Sequence, residues 1–146
     1  MADAHTTGGG SFRLLVIAPE KIVIDRAVES VRLPGVDGSF GILAKHAPMI
    51  AAIEAGEMVV RAPGGAPESF FVSDGFVEVR DDVVRVVVES GEHRGEIDVE
   101  RAQESEKRAR EKIAASTKQV DVDLPRAEAA LRRARARERL ARKPGA

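Results

Sequence analysis

A β-sandwich followed by a separate antiparallel two-helix hairpin is the architecture this sequence predicts, and three observations carry it. Between residues 12 and 89, short apolar runs rich in β-branched residues are cut by Gly, Pro and Asp, the pattern of strands joined by tight turns. From residue 97 the composition turns to Ala, Glu, Arg and Lys, with no Gly inside 97–119 or 124–142, which favours helix. The charge changes sign at the same place. Residues 1–95 hold 9 Lys and Arg against 14 Asp and Glu, residues 96–146 hold 14 against 10, and the net −1 of the 146-residue chain conceals two oppositely charged segments. The expected division is a flexible tail over 1–11, a sandwich over 12–92 and a helical hairpin over 93–146.

Taken in order, strands are expected at 12–18, 21–25, 27–33, 39–43, 48–54, 58–62, 69–72, 76–80 and 83–89. Nine short strands need a sandwich or barrel to bury their apolar faces. Pro34-Gly35, Asp37-Gly38, Pro63-Gly64-Gly65, Asp74-Gly75 and Asp81-Asp82 place the corners, because these residues supply a preset or positive φ. Alternation in 76–80 predicts one buried face, whereas the run Val83-Val84-Arg85-Val86-Val87-Val88 predicts burial on both. Ser73-Asp74-Gly75 has strands on either side and is expected to form a hairpin corner, not a nucleophile turn.

Helices are expected at 97–119 and 124–142. Asp98 is placed to cap the first, Asp121 or Asp123 the second, with Pro125 tolerated in the opening turn. Ala102, Ala109 and Ile113 recur at helical spacing on the first, and Ala127, Ala130, Leu131, Ala134 and Ala141 on the second. Such stripes let helices approach closely but bury little area, about 1 kcal/mol or less per Ala. The hairpin is therefore marginal by itself and suited to rearrangement.

The composition also excludes functions. Cysteine is absent, which removes disulfides, thiolate metal sites and a Cys nucleophile. Five Phe with no Trp or Tyr leave little with which to stack bases, so nucleic acid is not an expected partner. His5, His46 and His93 are scattered without metal-ligand spacing, and His46, in Lys45-His46-Ala47-Pro48, reads as a turn residue. The glycines of 35–41 are followed by no Lys-Ser/Thr pair, unlike a phosphate loop. A hydrolase built on His46 or Ser73 lacks a base and orienting acid at recognisable spacing. No apolar stretch reaches the length of a membrane span. The expectation is a soluble chain on the cytoplasmic side.

Arginine is patterned in the tail. Arg126, Arg133 and Arg137 share one face of the second helix by their spacing, as do Arg101 and Arg108 on the first. Five guanidinium groups are thus expected to converge, inviting an anion or an acidic partner, and forked Arg contacts suit phosphate. The plainer reading of such a face is solvation.

Leu33-Pro34-Gly35, Gly38-Ser39-Phe40-Gly41-Ile42-Leu43 with His46-Ala47-Pro48, Gly56-Glu57 and Ser73-Asp74-Gly75-Phe76 occur in that order. The tail adds Ile97-Asp98-Val99-Glu100-Arg101-Ala102 and Arg126-Ala127-Glu128-Ala129-Ala130-Leu131-Arg132-Arg133-Ala134. Together these fragments resemble the epsilon-subunit family of bacterial F-type ATP synthases over nearly the whole chain. The resemblance implies a non-catalytic rotor subunit at the cytoplasmic face of the cell membrane, peripheral and membrane-associated only through its complex. Its implied partners are the gamma shaft subunit, the c subunits of the rotor ring and the alpha and beta catalytic subunits. It implies a hairpin that extends to inhibit ATP hydrolysis and, in some members, folds down around ATP; no cofactor is required and no metal is expected. The family's nucleotide pattern falls on Glu92, Ile97, Asp98, Arg101, Ala102, Arg108, Arg133 and Arg137. A competing expectation is an ATP-binding regulatory module that acts outside any rotary complex. Asp98 also has a plain role as a cap, Ala102 as a small seam residue, and Gly56 and Gly75 as turn residues.

Overall fold

The computed structural model describes residues 10–118 and 121–144. His5 and most of the expected 1–11 tail lie outside the described residues. The chain divides into two compact units, the first ending at His93 and the second starting at Arg94.

The first unit holds ten strands: β1 (Phe12–Ala18), β2 (Lys21–Val28), β3 (Ser30–Gly35), β4 (Gly38–Leu43), β5 (Met49–Ile53), β6 (Gly56–Arg61), β7 (Pro67–Val72), β8 (Gly75–Arg80), β9 (Val83–Val88) and β10 (Gly91–His93). They form a sandwich of two five-stranded layers, β10-β7-β6-β3-β4 and β5-β8-β9-β1-β2, joined where Gly35 pairs with Ile53. Every pairing is antiparallel except β1 with β9, which run parallel with Leu14 opposite Val84. The core between the layers is aliphatic. Leu14, Val16, Val31, Leu33, Ile42, Met58, Val60, Val72, Val77, Val84 and Val86 are all essentially inaccessible, and such burial is the main favourable contribution to folding.

Several expectations are corrected. The strand placed at 27–33 is broken at Glu29, whose N–H instead donates to the Arg61 carbonyl. Pro34-Gly35 belongs to β3 rather than to a corner, and Gly56-Glu57 opens β6. A side chain on Gly56 would meet Pro34 at 2.9 Å. The run 83–88 is buried on one face only: Val84, Val86 and Val88 point inward, while Arg85 is exposed and reaches Glu78 at 3.0 Å. Its valines are dense because β9 is central between β8 and β1, not because both faces are covered.

Ser73-Asp74-Gly75 is not a hairpin corner, for β7 and β8 lie in different layers and do not pair. It is a crossover clamped to its counterpart at 89–91. Ser73 N–H donates to the Ser90 carbonyl at 3.0 Å, and Ser90 N–H donates to Ser73 Oγ at 2.8 Å. The hydroxyl itself donates to the Ser90 carbonyl at 3.2 Å. Asp74 Oδ1 accepts from Ala55 N–H at 2.9 Å. A Cβ on Gly75 would run into the Val87 carbonyl oxygen, so glycine is required there by close approach. Asp81-Asp82 does form a two-residue hairpin turn, with φ of 51° and 58°, the all-positive geometry that suits strand twist.

The second unit opens with a 3₁₀ turn (Arg94–Glu96), followed by α1 (Val99–Ala115) and α2 (Leu124–Arg142), which pack as an antiparallel hairpin. Asp98 and Asp123 are the N-caps, their carboxylates accepting from Arg101 N–H at 3.0 Å and Arg126 N–H at 3.1 Å. The first helix stops earlier than residue 119. Ser116 caps its end, its hydroxyl donating to the Ile113 carbonyl at 2.6 Å, while residue 119 lies outside the described set. The seam is made of small residues, Ala102 and Ala109 with Ala127 and Ala134, and Ala136, Glu138 and Leu140 are buried as well.

Candidate functional site

The second unit holds an open groove of about 950 Å³ between α1 and α2, near the turn that joins them. Arg108 and Lys112 reach it from α1, one helical turn apart, and Arg126 and Arg133 from α2, two turns apart. Its floor is Ala109, Ala127 and Ala130; the small seam residues leave the space that larger side chains would fill.

Four cations meet three carboxylates along the lining, Glu111, Asp121 and Asp123. Asp123 is engaged as the α2 cap, and Arg108 approaches Glu104 only at 4.0 Å. Among the described residues no ion pair engages Lys112, Arg126 or Arg133. The groove therefore keeps forked donors for an anion of phosphate type.

The expected site residues are distributed as follows. Arg108 and Arg133 line the groove. Arg137 sits one turn beyond Arg133, half-buried and outside the lining. Ile97, Asp98, Arg101 and Ala102 lie at the opposite end of α1, with Asp98 about 15 Å from Arg108 along the axis. There the Asp98 carboxylate is occupied in capping, and Ala102 is buried in the seam. Glu92 belongs to β10 of the first unit, paired opposite Phe71. Of the five arginines expected to converge, Arg108, Arg126 and Arg133 line this groove, and Arg101 and Arg137 are not part of its lining. Lys112 was not among the expected residues, although its i+4 spacing from Arg108 could have drawn notice.

His46 sits in the segment before β5, its Nδ1–H donating to the Ala47 carbonyl at 2.7 Å. Ser73 is committed to the crossover clamp. No group of three metal-ligating side chains occurs among the described residues, and no described helix is long and apolar enough to cross a membrane.

Comparison with known proteins agrees with this division. The beta-sandwich domain of the ATP synthase Delta/Epsilon chain matches residues 11–94, and the long alpha-helix domain of the same chain matches residues 96–142. The ATP synthase epsilon chain of Nitratidesulfovibrio vulgaris (strain DP4) is 39% identical over 111 residues, spanning 76% of this chain and 82% of that one. That of Carboxydothermus hydrogenoformans is 42% identical over 105 residues, 72% of this chain and 78% of its own. Among solved structures, a chain of the Euglena gracilis mitochondrial ATP synthase superposes with a TM-score of 0.74 at 23% identity, covering 88% of this chain and 80% of that chain. At that identity the likeness concerns the fold. Matched in both its sandwich and its helices, the chain belongs to the ATP synthase Delta/Epsilon family and is of the epsilon type.

Proposed function

We propose that this chain is the epsilon subunit of the central stalk of a proton-translocating F-type ATP synthase, a non-catalytic part of the rotor. Its sandwich docks on the gamma shaft subunit and the c subunits of the ring, helping couple proton flow to ATP synthesis at the cytoplasmic face of the bacterial membrane. Its hairpin regulates hydrolysis: extended, it meets the alpha and beta catalytic subunits and inhibits; folded, it holds ATP. The observation that carries the regulatory part is the groove, where Arg108, Lys112, Arg126 and Arg133 surround an alanine floor. Thin burial makes the two helices easy to part, and Lys112, Arg126 and Arg133, without ion-pair partners among the described residues, give an anion a reason to keep them together.

In this reading Arg108 and Arg133, which line the groove, hold phosphate, and Ile97, Asp98, Arg101, Ala102 and Arg137 are the further hairpin residues of the nucleotide pattern. A charge-assisted contact contributes about 1.5–3 kcal/mol, so Arg133→Ala should weaken ATP binding roughly ten- to a hundredfold. Titration calorimetry of the full chain, paired with hydrolysis by the complex carrying or lacking residues 97–146, tests the proposal. Binding should fall in the variant, and hydrolysis should rise on deletion. Absence of heat at millimolar ATP would return the groove to a solvated face, and unchanged hydrolysis would remove the inhibitory role. Because the groove lies wholly within one unit, an ATP-binding module acting outside a rotary complex is the competing reading. Co-purification with shaft and ring subunits from solubilised membranes separates the two.

A further inference from the structure

Away from the groove, the hairpin seam contains a pair of acids. Glu138 of α2 is 7% exposed, the one charged side chain among the buried described residues, and the Glu106 carboxyl of α1 is its acidic neighbour across the seam. The two acids are not equivalent. Glu106 Oε2 accepts from Arg135 Nε at 3.1 Å and faces Arg110 at 2.7 Å, so the negative charge is at home there. Glu138 has only a long contact, from Arg142 to Oε1 at 3.4 Å, and its buried Oε2 meets no donor at all. A buried oxygen without a donor is costly, and two adjoining carboxylates cannot both stay ionised cheaply.

We propose that a protonated Glu138 donates a hydrogen bond to the ionised Glu106 across the α1–α2 seam, making the seam a proton-dependent latch that loosens as pH rises.

The charged groups around the pair favour this arrangement. Arg110 on α1 and Arg135 on α2 bind Glu106, Arg142 is the remaining cation beside Glu138, and Arg94 of the 3₁₀ turn is turned to the Pro144 carbonyl at 3.3 Å. Burial, then the neighbouring Glu106, pushes the Glu138 carboxyl above the ordinary range, while the hydrogen bond from Glu138 and that from Arg135 hold Glu106 below it. The sign follows. A carboxyl whose folded-state pKa is raised stabilises below its unfolded value, and that contribution is lost as pH climbs through the folded value. The latch belongs to the hairpin alone and does not depend on ATP occupying the groove. Its effect on hydrolysis rests on the regulatory role proposed above, so the test reads packing rather than turnover.

Carbon-detected NMR titration of the glutamate carboxyls in the full chain should find one that titrates above the usual carboxylate range and disappears in Glu138→Gln. Amide-exchange protection at 102–109 and 134–140 should fall as pH rises from the ordinary carboxylate range to that pKa, by up to about tenfold per pH unit, and level off above it. In Glu138→Gln the side-chain amide donates at every pH, so protection should become flat over the same span. Glu106→Gln serves as a second variant. It supplies a donor to Glu138 and removes the neighbouring anion, so the elevated titration should move back towards the ordinary range. The proposal is overturned if every glutamate of the wild-type chain titrates normally, or if Glu138→Gln keeps the wild-type pH dependence.

Discussion

Asp81 and Asp82 take up the same positive-φ geometry with different obligations. Both are non-glycine residues in the left-handed region, which strains an L-residue. Asp82 Oδ1 accepts from Lys45 N–H at 2.6 Å, and Lys45 itself has a φ of 62°. Asp81 meets only the exposed Arg80 at 3.6 Å, a contact of little weight. Asp81→Gly should therefore stabilise the chain by about 0.5 kcal/mol, because strain is relieved and nothing is lost. Asp82→Gly gains the same relief but forfeits the bond to Lys45 and should destabilise by roughly 0.5–1 kcal/mol. Urea denaturation of both variants would read the opposite signs. At this scale the sequence was informative where a residue acts through its own backbone, as Asp81, Asp82, Asp98 and Asp123 do. It was silent where the partner is remote. Nothing near Glu138 in an Arg-rich helix announces that Glu106, 32 positions earlier, will face it, and the parting of Arg101 and Arg137 from the groove follows from how the helices pair rather than from spacing on either one.

The helices show what a cap does and how to separate it from binding. The Asp98 carboxylate holds the first turn of α1 through Arg101 N–H, and it belongs to the expected nucleotide motif as well. Asparagine caps about as well as aspartate, whereas alanine costs about 1 kcal/mol. Asp98→Asn should thus keep full helix content by circular dichroism and near-wild-type resistance to urea, while Asp98→Ala loses both in part. If Asp98 also meets nucleotide, ATP affinity measured by calorimetry should fall in the Asn variant despite its intact helix; equal affinity would confine Asp98 to capping. Bounds of α2 were legible at 124–142 because Asp123, Pro125 and Pro144 mark both ends chemically. The strand β10 was not, since Gly91-Glu92-His93 lacks alternation and is extended only because Phe70, Phe71 and Val72 of β7 offer it an edge. The misread crossover at Ser73 has the same origin, because a Ser-Asp-Gly corner looks alike whether the chain returns beside itself or passes to another layer.

Across the whole molecule, the apolar core is confined to one unit. Every member of the main buried cluster lies between Phe12 and Val88, so a chain ended after Gly95 should retain a cooperative urea transition and a β-type circular dichroism spectrum. Loss of the transition would mean that the helices supply stability their alanine seam does not suggest. Completing the layer around β1 also has a cost in time. The first strand finds one neighbour at once, in β2, but its parallel partners on β9 come 70 positions later, Arg13 opposite Val83 and Ile17 opposite Val87. A ribosome adding about 5–20 residues per second delivers that neighbour roughly 4–14 s after β1 has emerged. Through that interval one edge of β1 remains open for pairing with another chain. Translation speed and chaperone supply then bear on how much of this subunit reaches its native state.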